Sequence, residues 1–169
     1  MHIITHHGVT PRIHPSVFVA AGACVIGEVE VGEDASIWFN SVLRGDINAV
    51  RIGARTNVQD GCILHVTAQY PVEIAEDVTL GHQAMIHGCR IGRGTLIGMN
   101  AVVLDDAQVG EQALVAAGSV VKEHFVVPDG MLVAGVPAKI IRPLTDDEKR
   151  ALQDSADRYV RYARSYDRP

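Results

Sequence analysis

The chain has 169 residues, 47% of them hydrophobic but only 5% aromatic, so its core must be built from Val, Ile, Leu and Ala in thin regular layers. That length suffices for one domain with a sizeable core. A net charge of -5 without any Lys/Arg run argues against a nucleic-acid footprint and against a polybasic membrane surface.

At the N-terminus, Met1 to His7 has neither the basic start nor the apolar stretch of a signal peptide. Nowhere do about 18 apolar residues follow one another, so no membrane-spanning helix is expected. Cys24, Cys62 and Cys89 are odd in number and scattered, which reads as reduced thiols in a cytoplasmic protein.

An aliphatic residue recurs every six positions: Ile13, Val19, Val25, Val31, Ile37 and Leu43. After a three-residue insertion the series resumes at Ile52, Val58 and Leu64. After a second insertion, Tyr70 to Glu73, it continues at Ile74, Leu80 and Ile86. One residue is then dropped, and the run closes at Ile91, Ile97, Val103, Val109, Val115 and Val121. Four places after most of these stands a small residue, such as Ala35, Ser41, Thr56, Ala84 or Ala101. Gly often follows the aliphatic directly, as at Gly53 and Gly81, where a tight corner calls for relaxed backbone angles.

A period of six is neither a helix nor a simple strand. Each hexad reads as one short strand plus a corner, and three hexads make one triangular coil. Eighteen consistent aliphatics are too many for coincidental spacing in a β-sandwich. The coils must stack to bury their inward residues, with strands about 4.8 Å apart. The repeat is expected to end near Val127-Pro128-Asp129-Gly130, and Ala134 to Lys139 to lead off the solenoid. Thr145 to Glu148 then forms a capping box opening a helix, whose apolar positions are Leu152, Ala156, Tyr159, Val160, Ala163 and Tyr166. The division is therefore a β-helix domain with its exit segment over 1–143, and over 144–169 a helix packed on the solenoid or on a neighbouring subunit. Period and composition do not set the hand of the coil.

His65 follows Leu64, and His87 follows Ile86. They are 22 residues apart, and removing the four inserted residues leaves 18, one full coil. The two imidazoles should stand one rung above the other and converge on one ion. His82 lies two places after Leu80, on the preceding face of the coil that carries His87, and should point away from the pair. A three-histidine site then requires His82 from a neighbour, and a closed trimer gives three equivalent sites. Three imidazoles with an open fourth position describe a catalytic metal site, with Zn²⁺ the first expectation and Fe²⁺ or Co²⁺ also suited to imidazole. His2, His6, His7, His14 and His124 read as surface histidines. Polar residues gather nearby in sequence: Arg44-Gly45-Asp46 at one corner, and Asn57-Val58-Gln59-Asp60-Gly61 in the coil before His65.

These motifs, with Gly81-His82-Gln83-Ala84-Met85-Ile86-His87-Gly88, resemble the gamma-class carbonic anhydrase family over nearly the whole chain. The resemblance implies an all-β solenoid, a left-handed parallel β-helix with a C-terminal α-helix, assembled as a homotrimer. It implies Zn²⁺ held by His65 and His87 of one chain and His82 of the next, reversible hydration of CO2 to bicarbonate, and no organic cofactor. By the same resemblance Arg44 pairs with Asp60 across the interface. Gln59 contacts the zinc-activated hydroxide with Asp46 and Asn57 in support, and Tyr159 reaches over the site. The sequence departs from the family's best-studied type in lacking a Glu at Ile47 and an acidic loop at Val66-Thr67-Ala68-Gln69; Glu73 is the candidate substitute. Three other functions compete: thioester hydrolysis at the same metal, acyl transfer from CoA, and a non-catalytic metal-stabilised scaffold.

Overall fold

A short strand with one inward aliphatic has no core of its own, so burial requires the next coil to lie directly against it. The computed structural model, which describes residues 1–166, meets this requirement as a left-handed parallel β-helix followed by one α-helix. Three strand columns form the sides of a prism. The histidine face stacks His2–Ile4, the beginnings of Cys24–Val31 and Val42–Ile52, then Ile63–His65, Met85–His87, Val102–Val103 and Val120–Val121. The charged face stacks Arg12–Ile13, the ends of the same two long strands, then Val72–Ile74, Arg90–Ile91, Gln108–Val109 and Val126–Val127. Because the long strands turn the shared corner, these two faces form one 12-stranded sheet. The helix face is an 8-stranded sheet running from Phe18–Val19 to Met131–Ala134, with Lys139–Pro143 added antiparallel at its end.

The inward series is buried throughout except at the N-terminal rungs, where Ile13 and Val19 are only half-buried. It also runs further than the sequence reading placed it. Val127 and Val133 continue the six-residue count at 1% and 0% exposure, and Leu132 and Val133 pair with Leu114 and Val115. The break expected at Pro128 to Gly130 is therefore one more corner. Small residues four places on are sealed inside, and their hydroxyls return hydrogen bonds to the next coil, as Ser41 Oγ to the Gln59 carbonyl at 2.7 Å.

The glycines after the aliphatics serve a different purpose from the one expected. Gly53 does not have a positive φ, but a Cβ there would lie 2.4 Å from the Ala75 carbonyl carbon, and one on Gly81 would lie 2.8 Å from the Met99 nitrogen. Close approach of successive coils excludes a side chain. Left-handed backbone falls instead three residues after the aliphatic, at Asp34, Asn40, Asp77 and Asn100 among others. Asn and Asp tolerate this region best among residues with a Cβ.

On the charged face the outward column reads Arg12, Glu30, Arg51, Glu73, Arg90, and neighbouring rungs neutralise one another: Arg12–Glu30 at 2.9 Å, Arg51–Glu73 at 3.7 Å, Arg90–Glu73 at 3.0 Å. Glu73 is thus a strand residue in register with two arginines, and not a loop carboxylate near the histidines. That removes it as a substitute for the missing acidic residues.

The helix α1 (Asp146–Ser165) starts with the expected capping box. Thr145 Oγ1 accepts from the Glu148 N–H, and Glu148 accepts from the Thr145 N–H at 2.8 Å. It lies across the outer surface of the helix face, over Ser36–Ile37, Asn57–Val58 and Thr79–Leu80, covering a face and not a strand edge. Leu152, Ala156, Val160 and Ala163 are buried there, Tyr159 is half-buried and Tyr166 is 45% exposed. Arg55 ties the helix down by bonding both Asp77 and Asp157. Among the described residues no helix is long and apolar enough to cross a membrane.

Candidate metal centre

The three-residue insertion falls inside the strand Val42–Ile52, where Asp46 to Ala49 stand opposite Glu28 alone. This bulge swings Asp46 towards the strand that follows. Parallel register then aligns Arg44 with His65, and His65 with His87. The column that results is a continuous polar chain. Asp46 Oδ1 lies 3.1 Å from His65 Nε2, His65 Nδ1 lies 3.1 Å from His87 Nε2, and His87 Nδ1 lies 2.5 Å from Asp105 Oδ1. Arg44 closes the far end by bonding Asp46. Burial alone pushes the Asp46 carboxyl up, but the Arg44 guanidinium and the His65 N–H outweigh it and hold the carboxyl below its usual range.

Asp105 was not singled out from the sequence. The signal was present: with one residue dropped after Ile86 the coil here is 17 residues long, so Val103 stands over Ile86 and Asp105, two places further on, falls at the corner beside His87. Acidic residues also occupy many corners of this solenoid, which hides one with a distinct partner.

His82 occupies another corner, between the helix face and the histidine face. Its Nδ1 lies 2.8 Å from Asp60 Oδ2, one coil earlier. In the single chain it does not join the His65–His87 pair, and among the described residues no group of three or more His, Cys, Asp or Glu is arranged to hold a metal. His82 and Asp60 instead border a cavity of about 450 Å³ shared with Trp38, Phe39, Tyr159 and Tyr162. Burial, with the Asp60 charge behind it, raises the Tyr159 pKa, so the phenol keeps its proton at neutral pH.

Gln59 and Asn57 are buried at 5% and 0% exposure beneath the helix. Gln59 Nε2 donates to Asn57 Oδ1 at 3.0 Å, and Asn57 Nδ2 donates to Thr79 Oγ1 at 2.9 Å. They therefore belong to the His82 side. The predicted residues fall into two clusters within one chain: Arg44, Asp46, His65 and His87 on the first, and Asn57, Gln59, Asp60, His82 and Tyr159 on the second. Arg44 and Asp60 do not pair with each other in the single chain; each is held by a neighbour, Asp46 and His82 respectively.

Residues 88–123 match the family model described as bacterial transferase hexapeptide (six repeats). The chain is 40% identical over 164 residues to a protein from Geobacillus kaustophilus named carbonic anhydrase, covering 97% of this chain and 90% of the relative. It is 42% identical over 160 residues to gamma carbonic anhydrase 2, mitochondrial, of Arabidopsis thaliana, covering 91% of this chain but only 58% of that longer protein. A crystal structure of a Bacillus cereus protein described as an acetyltransferase superposes with a TM-score of 0.97 at 42% identity, covering 98% of this chain and 96% of that one.

Proposed function

Since the chain belongs to the gamma-class carbonic anhydrase family, we propose that it interconverts CO2 and bicarbonate at a divalent-metal site shared between subunits of a homotrimer. One observation carries the reading: the inner nitrogens of His65 and His87 face each other at 3.1 Å while their outer nitrogens face carboxylates. A carboxylate only accepts, so each outer nitrogen bears the proton and each inner nitrogen a lone pair. Two lone pairs aimed at one another call for a cation between them. Two ligands about 2.0–2.1 Å from a tetrahedral zinc sit about 3.3 Å apart, close to the spacing present here.

The donor set fits Zn²⁺, Fe²⁺ or Co²⁺, and His82 of a neighbouring chain supplies the third imidazole. A second copy is favoured by the outward row of the histidine face, where Val42, Ile63, Met85, Val102 and Val120 offer an apolar strip beside the pair, Ile63 being 41% exposed. A divalent metal held there supplies Lewis acidity, which makes water a nucleophile near neutral pH. The chain's own groups do the rest. Asp46 and Arg44 orient His65, the Asn57 carbonyl anchors the Gln59 amide, and Tyr159 offers a protonated hydroxyl in the His82 cavity. With Ile47 exposed in the bulge and Glu73 held by two arginines, no glutamate collects the released proton, so turnover is expected to rise with buffer concentration.

The test is anaerobic purification, metal counting and stopped-flow CO2 hydration on the same sample. About one metal per chain with rapid hydration supports the reading. His82→Ala is expected to empty every site although His65 and His87 remain, and a variant that keeps full occupancy overturns the shared site. One metal per chain without hydration overturns the CO2 reaction. It shifts the assignment to thioester hydrolysis at the same metal or to a non-catalytic metal-stabilised scaffold, the latter favoured by the absence of acidic residues at 47 and 66–69.

A further inference from the structure

His87 makes one contact that the proposed reaction does not itself explain. Its Nδ1 meets Asp105 Oδ1 at 2.5 Å, with the His87 side chain 29% and the Asp105 side chain 32% exposed. Asp105 comes from the corner after Val102–Val103, the strand paired directly against Met85–His87. No arginine or lysine pairs with Asp105, among the described ion pairs, to divert its charge; the neighbouring Asp106 is engaged separately by His124 at 3.0 Å. Gly88 makes this approach feasible, because a Cβ there would lie 2.8 Å from Asp105 Oδ1.

We propose that Asp105 is a positioning residue which fixes the tautomer and ring orientation of His87, leaving Nε2 unprotonated and aimed at the site it shares with His65. The inference rests on the reading of the histidine pair as metal ligands. A neutral imidazole carries its proton on either nitrogen. An acceptor at Nδ1 selects the form in which Nε2 presents a lone pair, and it strengthens that nitrogen as a donor to a cation. Asp46 does the same for His65 from the opposite side. The pair is therefore clamped at both ends by carboxylates reaching in from the bulge and from the coil beyond. Without Asp105, His87 is free to place its proton on Nε2 and donate it to His65 Nδ1. That arrangement satisfies the pair with a hydrogen bond and competes with metal.

Two readouts test this on the full-length protein, both independent of turnover. Asp105→Ala and Asp105→Asn are each titrated with Co²⁺ and Zn²⁺ against a chelator, after circular dichroism and sedimentation have matched them to wild type. Apparent affinity is expected to fall ten- to a hundredfold in the alanine variant. Long-range ¹⁵N–¹H correlation spectra of the metal-free protein are expected to show His87 protonated at Nδ1 in wild type and largely at Nε2 in Asp105→Ala. Affinities within twofold of wild type in both variants, or a wild-type His87 already protonated at Nε2, overturn the proposal. A wild-type protein that binds Co²⁺ but hydrates no CO2 sinks the proposed reaction alone, and the Asp105 comparison still decides this inference.

Discussion

Replacing Leu64 by Ala removes an inward side chain stacked between Leu43 and Ile86, at 0% exposure, one residue before His65. Three carbons leave the core, about 2.4 kcal/mol at about 0.8 kcal/mol each. The void adds to this, because the coils on either side are held by ladder bonds such as Ile63 N–H to the Ala84 carbonyl at 3.0 Å and cannot close in. The total expected loss is about 3–4 kcal/mol, within the range for buried Leu→Ala changes. Urea unfolding followed by circular dichroism, at one fixed protein concentration because association adds to apparent stability, measures it. Val126→Ala is the control. That side chain points out from the charged face at 57% exposure and should cost less than about 0.5 kcal/mol. A loss below about 1.5 kcal/mol for Leu64→Ala, or one no larger than the control's, would refute the inward assignment of the repeat.

Arg55→Ala strips the Asp77 carboxylate, whose side chain is 9% exposed, of its cation and releases Asp157 on the helix. Since the arginine is itself 38% exposed, screening limits the cost to about 1–2 kcal/mol, seen as faster amide exchange in α1. Unchanged protection there would count against the anchor. Burial pushes the Cys62 and Cys89 thiols up to about 12, which leaves about one thiolate in ten thousand at pH 8. Neither should react with iodoacetamide until urea is added, and prompt labelling of the native protein would contradict their burial. The Arg142 hydrogen bond, with the Thr145 N–H, depresses the Glu148 carboxyl to about 2. A depressed carboxyl contributes in full above its unfolded value of about 4.5 and loses that contribution as pH falls through about 2. The first turn of α1 should therefore keep its amide protection at pH 4, and fraying already at pH 5 would show the capping box to be unformed.

The fold was legible because its signal is arithmetic. A six-residue count with insertions subtracted placed His65 and His87 on adjacent rungs, where the register puts them. The same count carries on through Val127 to Val133, and Pro128 was mistaken for a stop because proline at a solenoid corner costs nothing that proline in a continuous strand would. The glycine rule was legible in position but not in cause, since the sequence does not show how closely one coil approaches the next. Glu73 was misplaced for a related reason: the insertion ends in a strand, and one residue of register separates a loop carboxylate from a rung of the ion-pair column. Asp105 stands two places after Val103, a corner position that acidic residues also fill elsewhere in this solenoid, so nothing in its placement marked it out. The two-cluster division was foreseen for His82 alone. That Gln59 and Asn57 travel with it follows from their bonds beneath the helix.

The three irregularities in chain length all border the histidine pair: the bulge that delivers Asp46, the insertion after His65, and the residue dropped beyond His87. The residue dropped between Ile86 and Ile91 is absorbed at the corner, since Ile91 still pairs with Ile74 below it and Val109 above it, and a whole 18-residue coil added ahead of His2 would likewise leave the pair untouched. The scaffold thus absorbs changes of length at its bulge and corners while its columns stay in register, and the chemistry sits where the count is broken and then restored.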